Sequence, residues 1–290
     1  MLQWTPQAQF AGYYVAKEKG IFREHGLEVE IIGGGPDRDA IRHLEEGKTD
    51  FAVAWLTSAL ISLDRGVPLV HIAQVINSSH LAIAAWKDRD IADIGDLNGR
   101  RVAIWEGSPR HPFTAFFKSR SIEPVIVPQY STVNLFLLKG VDALSVMDYN
   151  EYHKLYQSGI EESEIRLFRL KDFQVDFPED GIYCLRGMRE AEPETCRSLA
   201  AAVLAGWRYA ARNQDEAVDL VMKRVRETNL PTNRAHMRYM LRTIVPSVIP
   251  EEGASWKAGV LAQEAYGEAT RWLLDLKQIR KVIPHEEFTR

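Results

Sequence analysis

The segment Phe51–Val75, "FAVAWLTSALISLDRGVPLVHIAQV", decides the fold class. Two short apolar runs, "FAVAW" at 51–55 and "PLVHIAQV" at 68–75, have the length of strands, and residues 57–65 between them carry their apolar side chains at helical spacing. Strand, helix, strand is the grammar of a βαβ unit, in which a crossover helix returns the chain to a parallel neighbour. On the N-terminal side "LEVEII" (27–32) reads as another strand and 36–46 as another helix, so a largely parallel sheet is expected.

On the C-terminal side the alternation restarts. "LAIAAWK" (81–87) is followed by "DLNGRRVAIWEGS" (96–108), a turn feeding a strand and then a Gly-Ser entry to a helix. A helix near 110–120, the strand "PVIVPQ" (124–129), a helix near 132–139, the strand "DALSVM" (142–147) and a helix from about 150 complete the second series. From about 188 the pattern is helical, with Leu199, Ala202, Val203, Gly206, Trp207 and Ala210 on one face and Met237, Met240, Leu241 and Ile244 on another. No Gly-Ser or Pro-rich linker separates the two series, which predicts two α/β lobes joined through their sheets. The runs at 81–86 and 181–185 are placed to cross between them. The expected division is 1–83 with 179–290 for lobe 1, and 84–178 for lobe 2, with the helical C-terminal region packed on lobe 1 and a ligand cleft between the lobes.

Apolar residues make up 46% of the 290 and charged residues 26%, the balance of a packed globular protein. The net charge of −4 provides no basic field for nucleic acid or an anionic membrane. No run is long and apolar enough to span a bilayer, so no direct membrane insertion is expected. Cys184 and Cys196 are the only cysteines; they exclude a disulfide framework and a cysteine-built zinc site, and leave open a single bridge or two buried free thiols.

Enzyme motifs are missing. "GGGP" at 33–36 lacks the G-x-G-x-x-G spacing and reads as a tight turn before a helix beginning near Asp37. Neither a P-loop, a G-x-S-x-G elbow nor an H-E-x-x-H helix occurs, and the eight histidines are scattered, so no catalytic residue, metal site or cofactor is expected. His80 and His111 read as structural or solvated.

What remains is a set of aromatic, amide, hydroxyl and acidic residues after strands, where open α/β sheets bind ligands. Trp4, Gln7 and Tyr13 lie in the first such segment, Trp55, Thr57 and Ser58 follow "FAVAW", and Asn77, Ser78 and Ser79 end the next strand. Glu106, Gly107 and Ser108 follow "RRVAIW", and Asp148, Tyr149, Asn150 and Glu151 follow "DALSVM". Asp176, in "FQVDFPEDG", stands near the second expected crossing. Aromatic faces stack on a planar ring while amides and a carboxylate read its edge, and a carboxylate favours an edge rich in amino donors. Other readings of the same residues are local: Phe10 and Tyr14, four apart, pack inward, Trp105 fills core, Thr57 and Ser58 cap a helix, and Asn150 caps the helix that carries Glu151.

Three stretches, "WTPQAQFAGYYVAKEKGIFREHGLEVEII", "DLNGRRVAIWEG" and "GVDALSVMDYNEYH", resemble signatures of the periplasmic solute-binding proteins for thiamine-precursor pyrimidines, a family that includes a fungal hydroxymethylpyrimidine phosphate synthase. The likeness runs over roughly residues 2–190. It implies a type II periplasmic-binding-protein fold that closes on a small heteroaromatic molecule, a periplasmic or extracellular location, and an ABC permease as partner. Trp4, Gln7 and Tyr13 fall in the family's first ligand loop, and Tyr149, Asn150 and Glu151 in its Y-N-E segment. Gln7 stands where the family often has Asn, and Phe10 where it often has His, which moves the reading from synthase toward binding alone. The "QFAGYY" form also resembles sensor modules of signalling proteins, so a sensor partner stands beside the permease as an alternative.

Overall fold

A computed structural model describes residues 1–107 and 109–289. In chain order its elements are α1 (Ala11–Glu18), α2 (Ile21–Glu24), α3 (Ala40–Glu45), β1 (Ala52–Trp55), α4 (Leu56–Asp64), β2 (Leu69–Gln74), β3 (Leu81–Trp86), β4 (Arg101–Trp105), α5 (Arg110–Ser119), β5 (Val125–Gln129), α6 (Asn134–Leu137), β6 (Ala143–Met147), α7 (Glu151–Gln157), β7 (Ile165–Arg169), β8 (Asp180–Leu185), α8 (Arg186–Ala191), α9 (Pro193–Arg212), α10 (Gln214–Glu227), α11 (Arg234–Val248), α12 (Gln263–Asp275) and α13 (His285–Phe288). They form two compact units, one from Met1–Asn77 together with the chain from Pro178 onward, the other from Ser78–Phe177.

The first unit holds a three-stranded sheet in the order β1-β8-β2, with β8 antiparallel to both neighbours. The strands β1 and β2 therefore point the same way, as a βαβ unit requires, yet they do not pair with each other. A strand from far along the chain fills the gap, and the expected largely parallel sheet becomes an antiparallel one. The run "LEVEII" is not a strand: of this extended segment, the Ile32 carbonyl accepts from the Leu2 N–H at 2.8 Å, and just beyond it the Gly34 N–H donates to the Trp4 carbonyl at 3.0 Å, too few bonds for a ladder. Gly34 of "GGGP" serves this approach, because a Cβ there would stand 2.3 Å from the Leu2 carbonyl oxygen. The following helix starts at Ala40 rather than near Asp37, capped by the Asp39 carboxylate, which accepts from Ile41 N–H at 2.8 Å and Arg42 N–H at 3.0 Å.

The helical third packs on this same unit. The predicted face of α9 is buried from Leu199 to Ala210 and lies against α1, while Met237, Met240, Leu241 and Ile244 of α11 are buried beside the 3₁₀ turn Ala8–Phe10. Phe10 and Tyr14 are buried, as their spacing predicts. Gly12 and Gly206 let α1 and α9 approach closely: a Cβ on Gly206 would sit 2.1 Å from the Gly12 carbonyl oxygen, and one on Gly12 would sit 2.2 Å from Trp207 Cδ1. Cys184 of β8 and Cys196 of α9 are buried free thiols with Sγ atoms 3.9 Å apart, and burial, followed by the neighbouring Cys196, pushes the Cys184 thiol up to about 12.

The second unit holds a five-stranded mixed sheet, β5-β4-β6-β3-β7, in which β4 runs parallel to β5 and β6 while β3 is antiparallel to β6 and β7. Its core centres on Trp86 stacked on Phe136 with ring centroids 4.4 Å apart. The runs expected to cross between lobes each lie within one unit instead. Pairing with β6 and β7 holds Leu81–Trp86 in the second, so the division falls between Asn77 and Ser78 rather than after residue 83. Likewise Asp180–Leu185 is the central strand of the first unit's sheet. β7 is an additional edge strand whose alternating charged residues hide it from a search for apolar runs.

Candidate functional site

In the first unit the polar side chains gather around Asp180, the first residue of β8, paired across the ladder with Trp55. Both carboxylate oxygens accept amide protons: Gln3 Nε2 donates to Oδ1, and Gln9 Nε2 donates to Oδ2 at 2.9 Å. Gln9 Oε1 in turn accepts from Gln7 Nε2 at 2.6 Å. Burial pushes the Asp180 carboxyl up to about 7, against the opposing pull of the Gln9 hydrogen bond. Two tyrosines complete the cluster. Tyr13 on α1 and Tyr183 on β8 have buried hydroxyls with no hydrogen-bond partner among the described residues, and burial, followed by the charge of Asp180, raises both well above the ordinary phenol range. The Tyr183 ring occupies the space over Gly181, where a Cβ would lie 2.6 Å from its hydroxyl.

A second buried set, Gln74 and His71, is tied to the backbone of the same strand. Gln74 Nε2 donates to the Ile76 carbonyl at 2.9 Å and to the Asp180 carbonyl at 3.1 Å. Its Oε1 is therefore the acceptor facing His71, whose Nε2 donates to it at 3.2 Å. Burial drives His71 down to about 4, so the ring is neutral at physiological pH and edge-on to Tyr183.

The sequence-predicted residues of this unit separate accordingly. Gln7 and Tyr13 belong to the Asp180 cluster, and Trp55 reaches it through the strand pairing. Trp4 is half-buried on the segment held by Gly34. Thr57 and Ser58 are not helix caps: α4 begins at Leu56 with no side-chain cap, Thr57 is buried inside it with a hydroxyl that has no partner among the described residues, and Ser58 is half-buried. Asn77 bonds the backbone two residues before it, its amide donating to the Val75 carbonyl at 3.4 Å.

In the second unit most predicted residues are held by internal bonds. Asp176 accepts from the Ser78 hydroxyl at 2.9 Å and the Ser79 N–H at 2.5 Å. Glu151 Oε2 accepts from the Met147 N–H at 3.1 Å and Oε1 from the Asn150 amide at 2.7 Å, so Asn150 spends its side chain on Glu151 and not on capping α7. Tyr149 is buried, edge-on to His80 at 5.2 Å. His80 is structural: its Nδ1 lies 2.7 Å from Asp148 Oδ1, whose other oxygen accepts from Arg169 Nε at 3.2 Å. Burial works to raise Asp148, but the His80 bond together with the attraction of His80, Lys171 and Arg169 holds it below its usual value. Glu106 is exposed and paired with Arg110 at 3.0 Å, and Ser108 lies outside the described residues.

Sequence reading missed Gln3, Gln9, Asp180 and Tyr183. The available signal was an acidic residue opening an otherwise apolar strand, "DGIYCL", and the density of amides in the first ten residues. Among the described residues no cluster of His, Cys, Asp or Glu is arranged to hold a metal, and no helix is long and apolar enough to cross a membrane.

The sequence profile of the family described as NMT1/THI5 like matches residues 7–217. The formylaminopyrimidine-binding protein of Halalkalibacterium halodurans is 24% identical over 285 residues, covering 94% of this chain and 83% of that one. The riboflavin-binding protein RibY of Chloroflexus aurantiacus is 24% identical over 239 residues, covering 79% and 66%. Among solved structures, the periplasmic aliphatic sulphonate binding protein SsuA of Escherichia coli superposes with a TM-score of 0.75 at 15% identity, covering all of this chain and 91% of that one. The shared fold is the two-lobed α/β fold of periplasmic binding proteins.

Proposed function

The chain belongs to the NMT1/THI5-like family, and from that premise we propose that it is the solute-binding component of an ABC-type uptake system, acting outside the cytoplasm and taking an aminopyrimidine-type heteroaromatic ligand without chemical change. The observation that carries this reading is the Asp180 cluster. Its hydrogen bonds join a buried carboxyl to three glutamine amides, and the buried hydroxyls of Tyr13 and Tyr183, which have no hydrogen-bond partner among the described residues, feel the charge of that carboxyl. Buried polar atoms without partners are costly, and a ligand with polar edges offsets that cost on binding. A flat ring flanked by Trp4 and Tyr13 and read by Gln7 fits this chemistry. Binding without catalysis is supported by Phe10: at the position where relatives often carry histidine, its ring is sealed in the core and offers no imidazole.

Isothermal titration calorimetry with formylaminopyrimidine, riboflavin and an aliphatic sulphonate tests the proposal. Saturable one-to-one binding of the pyrimidine, weakened at least ten-fold in Tyr13→Ala, is expected. Selective binding of riboflavin or the sulphonate would sink the pyrimidine assignment.

A further inference from the structure

The hydrogen bonds around Asp180 have a direction that propagates. Once ionised, above about 7, the Asp180 carboxylate accepts only, which holds Gln9 with its Nε2 toward it at 2.9 Å. Gln9 Oε1 then faces the other way and accepts only, which fixes Gln7 with its Nε2 toward Gln9 at 2.6 Å. Reversing either amide would set two lone pairs against each other in a site where Asp180 is 1% exposed and Gln9 3%. At the end of the chain Gln7 keeps its Oε1 and one N–H; that oxygen makes no hydrogen bond among the described residues, and the residue keeps 8% exposure. Gln3 holds the other Asp180 oxygen from the opposite side, so the carboxyl has no second orientation to adopt.

We propose that Asp180 is a specificity-determining positioning residue: through Gln9 it fixes the Gln7 amide so that its carbonyl oxygen meets the ligand, and the site selects ligands with an N–H donor there, such as an exocyclic ring amine. This rests on the reading of Gln7 as a ligand contact. Asp180 itself touches no ligand in this scheme. Replacing it by Asn supplies an N–H to Gln9 and permits the whole chain of amides to reverse, after which Gln7 presents two N–H donors and accepts nothing from the ligand's amine. The titratable groups that feel the Asp180 charge are the Tyr13 and Tyr183 hydroxyls, both held above the ordinary phenol range, so they stay neutral while the carboxyl titrates.

The test compares formylaminopyrimidine with its analogue carrying hydrogen in place of the exocyclic amine. Wild type is expected to prefer the amine by about ten-fold or more, the value of one well-made buried hydrogen bond. In Asp180→Asn and in Gln9→Leu, both checked for folding by circular dichroism, the preference is expected to shrink to within about two-fold, the scale of a lost polar bias. An unchanged preference in both variants overturns the proposal. Gln7→Leu separates the two levels of argument: if it binds formylaminopyrimidine as wild type does, the ligand contact itself is wrong. A ligand-free measurement decides the relay when neither probe binds. In ¹⁵N-labelled protein the side-chain amide signals of Gln9 and Gln7 should move together as pH carries Asp180 through ionisation, and neither should move in Asp180→Asn. A Gln7 signal that stays still while that of Gln9 moves breaks the relay.

Discussion

Two buried side chains in the first unit, Asp180 and His71, pull stability in opposite directions with pH. Burial raises the Asp180 carboxyl from an ordinary 3.8 to about 7, so between those values the folded chain keeps a proton that the unfolded chain has lost, and stability falls as pH rises through that window. His71 is lowered from 6.5 to about 4, so between those values the unfolded chain takes up a proton that the folded chain refuses, and stability falls as pH drops. Each slope amounts to about 1.4 kcal/mol per pH unit for one proton. Their contributions cancel between about 4 and 6.5, and Asp180→Asn unmasks the histidine. Urea unfolding of that variant should show stability declining steadily as pH drops from 6.5 to 4, where wild type shows a markedly shallower profile. Equal slopes in the two proteins would mean that Asp180 ionises normally in the fold. None of this was legible in the sequence, because the shift at Asp180 comes from burial, opposed by the bond from Gln9, and tertiary packing supplies both.

At the scale of elements, the strands that read correctly, β1, β2, β3, β4, β5, β6 and β8, are short apolar runs bounded by turn residues, a local property. What failed was nonlocal. "LEVEII" alternates as a half-buried strand should, yet it lies against the first residues of the chain through isolated bonds. The central place of β8 between β1 and β2 follows from tertiary pairing that no local pattern encodes. The helix crossing of α1 and α9 sits between these cases: Gly206 stood on the predicted apolar face, while its partner Gly12 lay in a stretch read for ligand contacts. Overpacking there should be severe, since a Cβ on Gly206 meets backbone. Gly206→Ala is expected to cost about 3 kcal/mol. Gly267→Ala on α12, where a Cβ meets nothing within 4 Å, should stabilise by about 0.5–1 kcal/mol through helix propensity. Denaturant unfolding of the pair checks this, and a tolerated Gly206→Ala would show that the two helices have room to separate.

For the molecule as a whole, the two units differ in how they are cut from the chain, and that difference governs what folds alone. Every strand of the second unit's sheet and every buried residue of its principal core lies between Leu81 and Arg169, so the unit is one continuous piece of sequence. The first unit is discontinuous: β1 and β2 come before residue 78, while β8 and the helices packed on α1 come after 177. A fragment 78–177 is therefore expected to fold cooperatively, whereas 1–77, lacking the strand that joins β1 to β2, is not. The two halves of the first unit meet where the Glu179 N–H donates to the Ile76 carbonyl at 3.0 Å. That proximity makes a stronger test available: deleting 78–177 and closing the gap with a short Gly-Ser turn should restore a folded first unit, because little loop-closure entropy is added. Circular dichroism melts and amide exchange on the three fragments measure this. A cooperative transition in 1–77, or its absence in 78–177, would show that the contacts sustaining each unit are not those of its own sheet. Folding of the deleted form would also isolate Gln3, Gln7, Gln9, Asp180, Tyr13 and Tyr183 on a single unit, where the direction of the amide relay is open to the same ¹⁵N titration without the second unit present.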